Sequence, residues 1–326
     1  MWQTQSQLTT HQDEEKKLLA AIEDAQKNAG ETEVRDAWRE LSNFYGRIGD
    51  EPKYLESFRK VYELTAGSLL KCDLLFGQIL FALQYNDFEM ARSAVQRAYF
   101  FEEQGSLDYE HKNRLTVFRA ALDLRYRKVS EAATLLLSSM SSFMSTEVFS
   151  FEEFIRYIII TSPLTLTRPQ LKEKVIDAPE VLSVVNSPVV ADSFDFLTHF
   201  YHTRYAEALT SLLKVFDTLS TDKLLSLHLK WLFRELRLRC YRQHLSAYVS
   251  VNLESMSRLF GVPVDVLLAD VRDFIVAGRL SCSIDGEAGV LFKHVREGGE
   301  EQGNVLKQTD VLLSKIQTLA RQLAIA

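Results

Sequence analysis

Little in this chain can break a helix. Of 326 residues only 13 are glycine and 6 proline, about half of ordinary usage or less. That scarcity excludes a turn-rich β fold and predicts a mainly α chain with short connections. Cysteine is scarce too. Cys72, Cys240 and Cys282 are odd in number, and none belongs to a CxxC or Cys/His pair, so neither a disulfide framework nor a zinc site is expected. A reducing compartment, cytoplasm or nucleus, is the expectation. No apolar run is long enough to span a bilayer, since the most apolar window, 154–166, is interrupted by Arg156 and Pro163. The opening MWQTQSQLTTHQDEEKK has no apolar core of a signal peptide. A soluble intracellular protein with no membrane partner is expected. Basic residues are not in excess either: 38 Lys and Arg face 44 Asp and Glu, a net charge of −6. That weighs against nucleic acid as the main partner, because phosphate contacts need clustered cations.

Catalytic signatures are missing as well. No G-x-S-x-G, H-E-x-x-H, P-loop or G-x-G-x-x-G occurs. His199 and His202 stand three apart on a helical stretch, but no carboxylate or cysteine lies at ligand spacing, so they read as a surface or interface pair. Glu152-Glu153 and Glu300-Glu301 are adjacent and would diverge on a helix. No catalytic residue, metal site or cofactor is expected, and the chain reads as a non-enzyme.

What is present is helix, organised in units. After a tail predicted to be disordered over residues 1–11, helices are predicted over 12–28, 33–48 and 52–64, stopped by Gly30 and Gly49 and opened by Pro52. A phrase then recurs. Tyr85-Asn-Asp-Phe88-Glu-Met-Ala91, Tyr126-Arg-Lys-Val129-Ser-Glu-Ala132 and His202-Thr-Arg-Tyr205-Ala-Glu-Ala208 each set a ring, a bulky apolar residue and an alanine three apart. Ala91 and Ala132 are 41 residues apart, and Ala208 lies 76 further on. A period near 40 with a small residue at the crossing is the mark of stacked helix pairs of the TPR kind. Four of the six prolines, at 163, 169, 179 and 188, fall together and predict a corner of short helices. Residues 224–248 read as a long helix bearing Lys230, Arg234, Arg237, Arg239 and Arg242. Arg234, Arg237 and Arg242 are candidates to meet an acidic partner, with a solvated face as the plain alternative.

Residues 253–295 read as a winged helix. A helix over 253–260 ends at Gly261, and a second begins at Pro263 with Val264, Leu267, Leu268, Val271, Phe274 and Ile275 on one face. Two strands, 280–284 and 290–294, follow around a Gly-rich turn. The second helix carries Asp265, Asp270 and Asp273 against Arg272, which DNA phosphates would repel. Asp265, Arg272 and Asp273, with Leu291 and Lys293 of the last strand, are therefore candidates for a protein interface. Beyond a Gly/Glu-rich hinge over 297–304, Val305, Thr309, Leu312, Ile316, Leu319 and Leu323 form a heptad seam on a helix over 305–326. A helix so short is marginal alone. It needs a surface, either its own chain or, as we favour, a bundle with other subunits.

The chain resembles the PCI-domain proteins, and within them the family of the seventh non-ATPase subunit of the proteasome lid. The resemblance rests on EDAQKNAGETEVRDA (23–37), RIGD (47–50), Phe58-Arg59-Lys60, Asn113-Arg114-Leu115 and RPQLKEKVI (168–176). It continues through Arg234-Glu235-Leu236-Arg237, Phe260-Gly261-Val262, AGRL (277–280) and Ile284-Asp285. The resemblance implies a right-handed superhelix of TPR-like pairs over 12–223, capped by a PCI module over 224–296 whose winged helix spans about 250–296, and a C-terminal bundle helix. It further implies a structural subunit that neighbours other PCI subunits of the lid and the ATPase ring, and is similar to members that hold a small acidic lid peptide. PCI subunits of the signalosome and of initiation and mRNA-export complexes share this architecture; the stretches at 23–37 and 168–176 favour the lid. A nucleic-acid-binding adaptor remains a further alternative if Arg234, Arg237 and Arg242 gather with other cations.

Overall fold

The computed structural model describes residues 2–28, 30–294, 309, 312, 313 and 315, and the side chains among them from residue 11 onward. Among these residues it contains fifteen α-helices and one three-stranded sheet. Two compact units divide it, residues 1–197 with 214–230, and residues 198–213 with 231–326.

The first unit is built from α1 (Trp2–Asn28), α2 (Glu31–Ile48), α3 (Glu51–Leu64), α4 (Ser68–Tyr85), α5 (Phe88–Glu103), α6 (Tyr109–Arg125), α7 (Val129–Ser138) and α8 (Phe151–Thr165). Short α9 (Arg168–Leu171), a π turn at Lys172–Ile176 and α10 (Pro179–Val184) follow, then α11 (Ala191–Tyr201), whose residues from Thr198 on fall in the second unit. Helix α1 begins at Trp2, ten residues before the expected start, because nothing between Trp2 and Gln12 is glycine or proline. The expected tail over 1–11 is thus helical from its second residue. Helices α2/α3, α4/α5 and α6/α7 pack as successive pairs.

The recurring phrase marks the joints of these pairs. Asn86, Arg127 and Thr203 follow its three rings, and they alone among the described non-glycine residues have positive φ, 61°, 61° and 62°. Each lets the preceding helix close with a six-residue bond, Asp87 N–H to Ala82 O at 2.9 Å, Lys128 to Asp123 at 2.8 Å and Arg204 to His199 at 2.9 Å. The next helix opens within two residues, and its alanine, Ala91, Ala132 or Ala208, is fully buried. Two of the rings also tie one pair to the one before. Tyr85 Oη donates to Gly46 O, and Tyr126 Oη to Phe88 O, both at 3.2 Å. Between these joints Tyr54 stacks on Phe81 at 3.9 Å and Phe76 on Phe118 at 5.0 Å. Each such buried ring contributes roughly 1.5–3 kcal/mol.

Short helices do follow, with one correction. Pro169 and Pro179 open α9 and α10, and Pro188 precedes α11, but Pro163 lies inside α8. Thr161 and Ser162 turn their hydroxyls back onto Tyr157 O and Ile158 O, an alternative bonding that accommodates local helix distortion.

Helix α12 (Tyr205–Leu219) and α13 (Leu229–Ser246) complete the helices before the winged-helix segment. The expected boundary at 223/224 follows chain order, whereas the compact units interleave. Residues 198–213 belong with the second unit, where Tyr205 stacks on Phe260 at 4.5 Å. The segment 214–230 belongs with the first, anchored by Asp222. That carboxylate is almost fully buried and accepts from Tyr157 Oη at 2.5 Å, Arg156 Nη2 at 3.2 Å, and the backbone of Leu224 and Leu225. A recess of about 650 Å³ beside it is lined by Leu80, Leu83, Phe88 and Phe149.

Candidate assembly surfaces

The second unit is a winged helix made from the sequence upward. After α13 come β1 (Ser250–Asn252), α14 (Leu253–Phe260), α15 (Val264–Val276), β2 (Cys282–Asp285) and β3 (Val290–Lys293), with antiparallel sheet order β1-β3-β2. Asn252 caps α14, accepting from Glu254 N–H at 2.8 Å. Gly261 ends it at φ +64°, where an added Cβ would stand 3.3 Å from Ala206 Cβ. Only glycine takes that turn without strain. Asp285 accepts from the backbone of Glu287 and Ala288 at 3.0 and 3.1 Å and so shapes the wing turn.

Aromatic packing holds the helices together. Phe260 meets Tyr205 face to face, and Tyr241 and His244 edge-on at 5.0 and 5.7 Å. Burial lowers the pKa of His244, since the charged imidazolium would be desolvated. The Cys240 thiol, fully buried, is pushed up to about 12 by the same cause. Two of the sequence stretches that looked like family marks meet here. Glu235, from Arg234-Glu235-Leu236-Arg237, takes Arg279, from AGRL, in a two-pronged ion pair with Nη2 to Oε2 at 2.5 Å. The sequence reading assigned no role to either residue, and only their shared membership in those stretches signalled them.

The candidate cations on α13 have internal partners. Arg237 Nη1 lies 2.5 Å from Asp270 Oδ2, Arg242 donates to Arg279 O at 2.7 Å, and Arg234 sits 5.1 Å over the Phe274 ring. Arg237 and Arg234 thus hold α13 against α15, and Arg242 holds the loop beyond it. This arrangement also corrects the charge reading of α15. Asp270 turns inward to Arg237 and is not part of the outer face, which keeps Asp265, Arg272 and Asp273, all exposed. Val276 stands beside them at 82% exposure, with Val266 also uncovered.

Strand β3 corrects a second assignment. Val251, Leu291 and Ile284 share one face and Ser250, Phe292 and Ser283 the other. Leu291 is 1% exposed, a core residue, while Phe292 is 44% exposed. A strand alternates with period two, so the side chain left open to solvent is the neighbour of the one expected. Lys293 is half-buried, its Nζ 3.5 Å from Ser246 O at the end of α13. Of the terminal seam, Thr309 and Leu312 are helical and exposed. Val305, Ile316, Leu319 and Leu323 lie outside the described residues, as does the hinge over 297–304. His199 bridges α11 and α12, with Nε2 3.3 Å from Glu207 Oε2 and Nδ1 3.4 Å from Ser211 Oγ. Among the described residues no three His, Cys, Asp or Glu side chains are grouped to hold a metal ion, and no helix is long and apolar enough to cross a membrane.

Comparison with known proteins agrees with these elements. Residues 3–174 match the family described as 26S proteasome subunit RPN7, and residues 213–294 match the PCI domain. The 26S proteasome non-ATPase regulatory subunit 6 of Dictyostelium discoideum is 37% identical over 95% of this chain and 81% of its own length. The Arabidopsis thaliana homologue of that subunit is 35% identical over 97% and 81%, and regulatory subunit RPN7 of Saccharomyces cerevisiae 32% over 88% and 68%. With the repeat unit and the winged helix both matched in order, the chain belongs to the RPN7 family of 26S proteasome regulatory subunits.

Proposed function

We propose that this chain is a non-catalytic structural subunit of the proteasome regulatory particle lid, acting in ubiquitin-dependent protein degradation in cytoplasm and nucleus. Its neighbours would be other PCI subunits of the lid and the ATPase ring. The observation that carries the reading is the junction of two things in one chain: a repeat unit of the RPN7 family and a winged helix with an acidic outer helix. Asp265 and Asp273 on α15 disfavour phosphate, and the exposed Val266 and Val276 beside them, with Phe292 uncovered on the sheet, suit a protein surface instead. Helical repeats present a long stackable surface to neighbours.

In this reading Asp265, Arg272, Asp273 and Phe292 contact an adjoining winged helix, and the seam from Val305 to Leu323 enters a shared helical bundle. The small acidic lid peptide has less support at Arg234, Arg237 and Arg242, because each already has an intramolecular partner. The test is removal of residues 305–326 from the full chain. The truncated protein should keep its helical circular dichroism and its cooperative melting, yet fail to enter the particle. A truncated chain that assembles as well as the intact one would overturn the terminal-helix part.

A further inference from the structure

One corner of the repeat unit, between α5 and α6, leaves two rings uncovered. Phe100, in the last turn of α5, is 56% exposed, and Tyr109, the first residue of α6, 72%. Leu69 and Leu70 in the first turn of α4 and Met144 beyond α7 are exposed too. The contacts put them on one edge. His111 Nε2 lies 3.2 Å from Asp73 Oδ1, which sets the first turn of α6 beside the second turn of α4. Arg114 Nη2, in α6, lies 3.0 Å from Glu147 Oε2 and brings the segment after Met144 to the same place. Scattered exposed apolar residues are ordinary. Two exposed rings and aliphatic side chains along one edge form the kind of surface that another molecule covers.

Charge identifies the occupant. From Tyr99 to Lys112 the chain carries Glu102, Glu103, Asp108 and Glu110 against Lys112. Asp108 is engaged by His111 at 2.6 Å, while Glu103 and Glu110 are exposed at the rim. Cations close by are already placed. Arg114 lies between Asp73 and Glu147, Arg119 sits 4.8 Å over Tyr99, and Lys71 5.1 Å over Tyr62. We infer that the α5–α6 corner docks a Lys- or Arg-bearing segment of another protein, one cation over the Tyr109 ring and one apolar side chain beside Phe100. A ring face attracts a cation through its quadrupole, and the surrounding carboxylates select against acidic and neutral competitors. The inference rests on the reading that the chain is part of a larger assembly.

The test uses the full chain in its own cells, with benzoylphenylalanine in place of Phe100, and the assembled particle purified before irradiation. The account expects one covalent product with another subunit, and the cross-linked segment flanked by Lys or Arg. Glu103→Lys with Glu110→Lys, both exposed positions, should cut the cross-link yield about tenfold or more without changing the circular dichroism. A cross-link to an acidic or uncharged segment, or to a second copy of the chain, would overturn the inference. So would the absence of any cross-link from a chain that co-purifies with its particle. A chain recovered alone would refute the assembly reading itself and the inference with it, so the two failures are distinguishable.

Discussion

Removing Arg279 should damage the winged helix more than removing Glu235, although they form one ion pair. The side chain of Glu235 is 10% exposed and that of Arg279 35%. In Glu235→Ala the guanidinium is left partly in water and can hydrate, so the loss is about 1–2 kcal/mol for the bonds themselves. In Arg279→Ala a carboxylate is left buried without its partner, a situation that costs roughly 3–5 kcal/mol. The expected difference between the two variants is therefore about 2 kcal/mol. The double variant should resemble Glu235→Ala, since nothing buried then remains unpaired. Hydrogen exchange of the full chain, followed by mass spectrometry on peptides covering α15 and β2, reads the local stability of this unit. Equal losses, or a larger loss from Glu235→Ala, would refute the burial argument.

Three further outcomes follow from the same structure. Gly261→Ala should cost about 1–2 kcal/mol in thermal melts, from its left-handed backbone and from crowding against Ala206; Gly105→Ala, also at positive φ but with nothing within 4 Å of the new Cβ, should cost about 1 kcal/mol. His244, whose pKa burial depresses, binds fewer protons folded than unfolded. The winged-helix unit should therefore lose stability as pH falls below about 6.5, and His244→Gln should flatten that slope in urea titrations between pH 7.5 and 5.5. Cys72 and Cys240, both fully buried with thiols pushed up to about 12, should resist iodoacetamide at pH 8 in the native chain and react in urea, as mass shifts would show.

Much of the architecture was legible because it is local. The ring-to-alanine phrase marked the helix joints, since a ring, a left-handed residue and a buried alanine all fall within seven positions. What escaped the sequence was long-range or a matter of parity. Arg237 reads as a free surface cation until Asp270, 33 residues on, is brought to it. The pairing of Glu235 with Arg279 spans 44 residues, beyond any helical or strand period. Leu291 and Phe292 are both apolar, so alternation alone could not say which faced the core; β1, three residues long, supplied the register that decides it. Strand β1 itself was missed because Ser250, Val251 and Asn252 are too few to show a period. Pro163 shows the opposite limit. A local breaker signal was outweighed by the surrounding apolar residues, Ile158, Ile159 and Ile160, all fully buried in α8.

The central claim is that this chain works as a built-in part of a larger particle. Affinity purification of the tagged full chain from its own cells, with mass spectrometry of what accompanies it, tests that most directly. The account predicts lid subunits, ATPases of the regulatory particle and core-particle subunits in fixed proportion to the chain. Signalosome or initiation-factor subunits in their place, or the chain recovered alone, would contradict it.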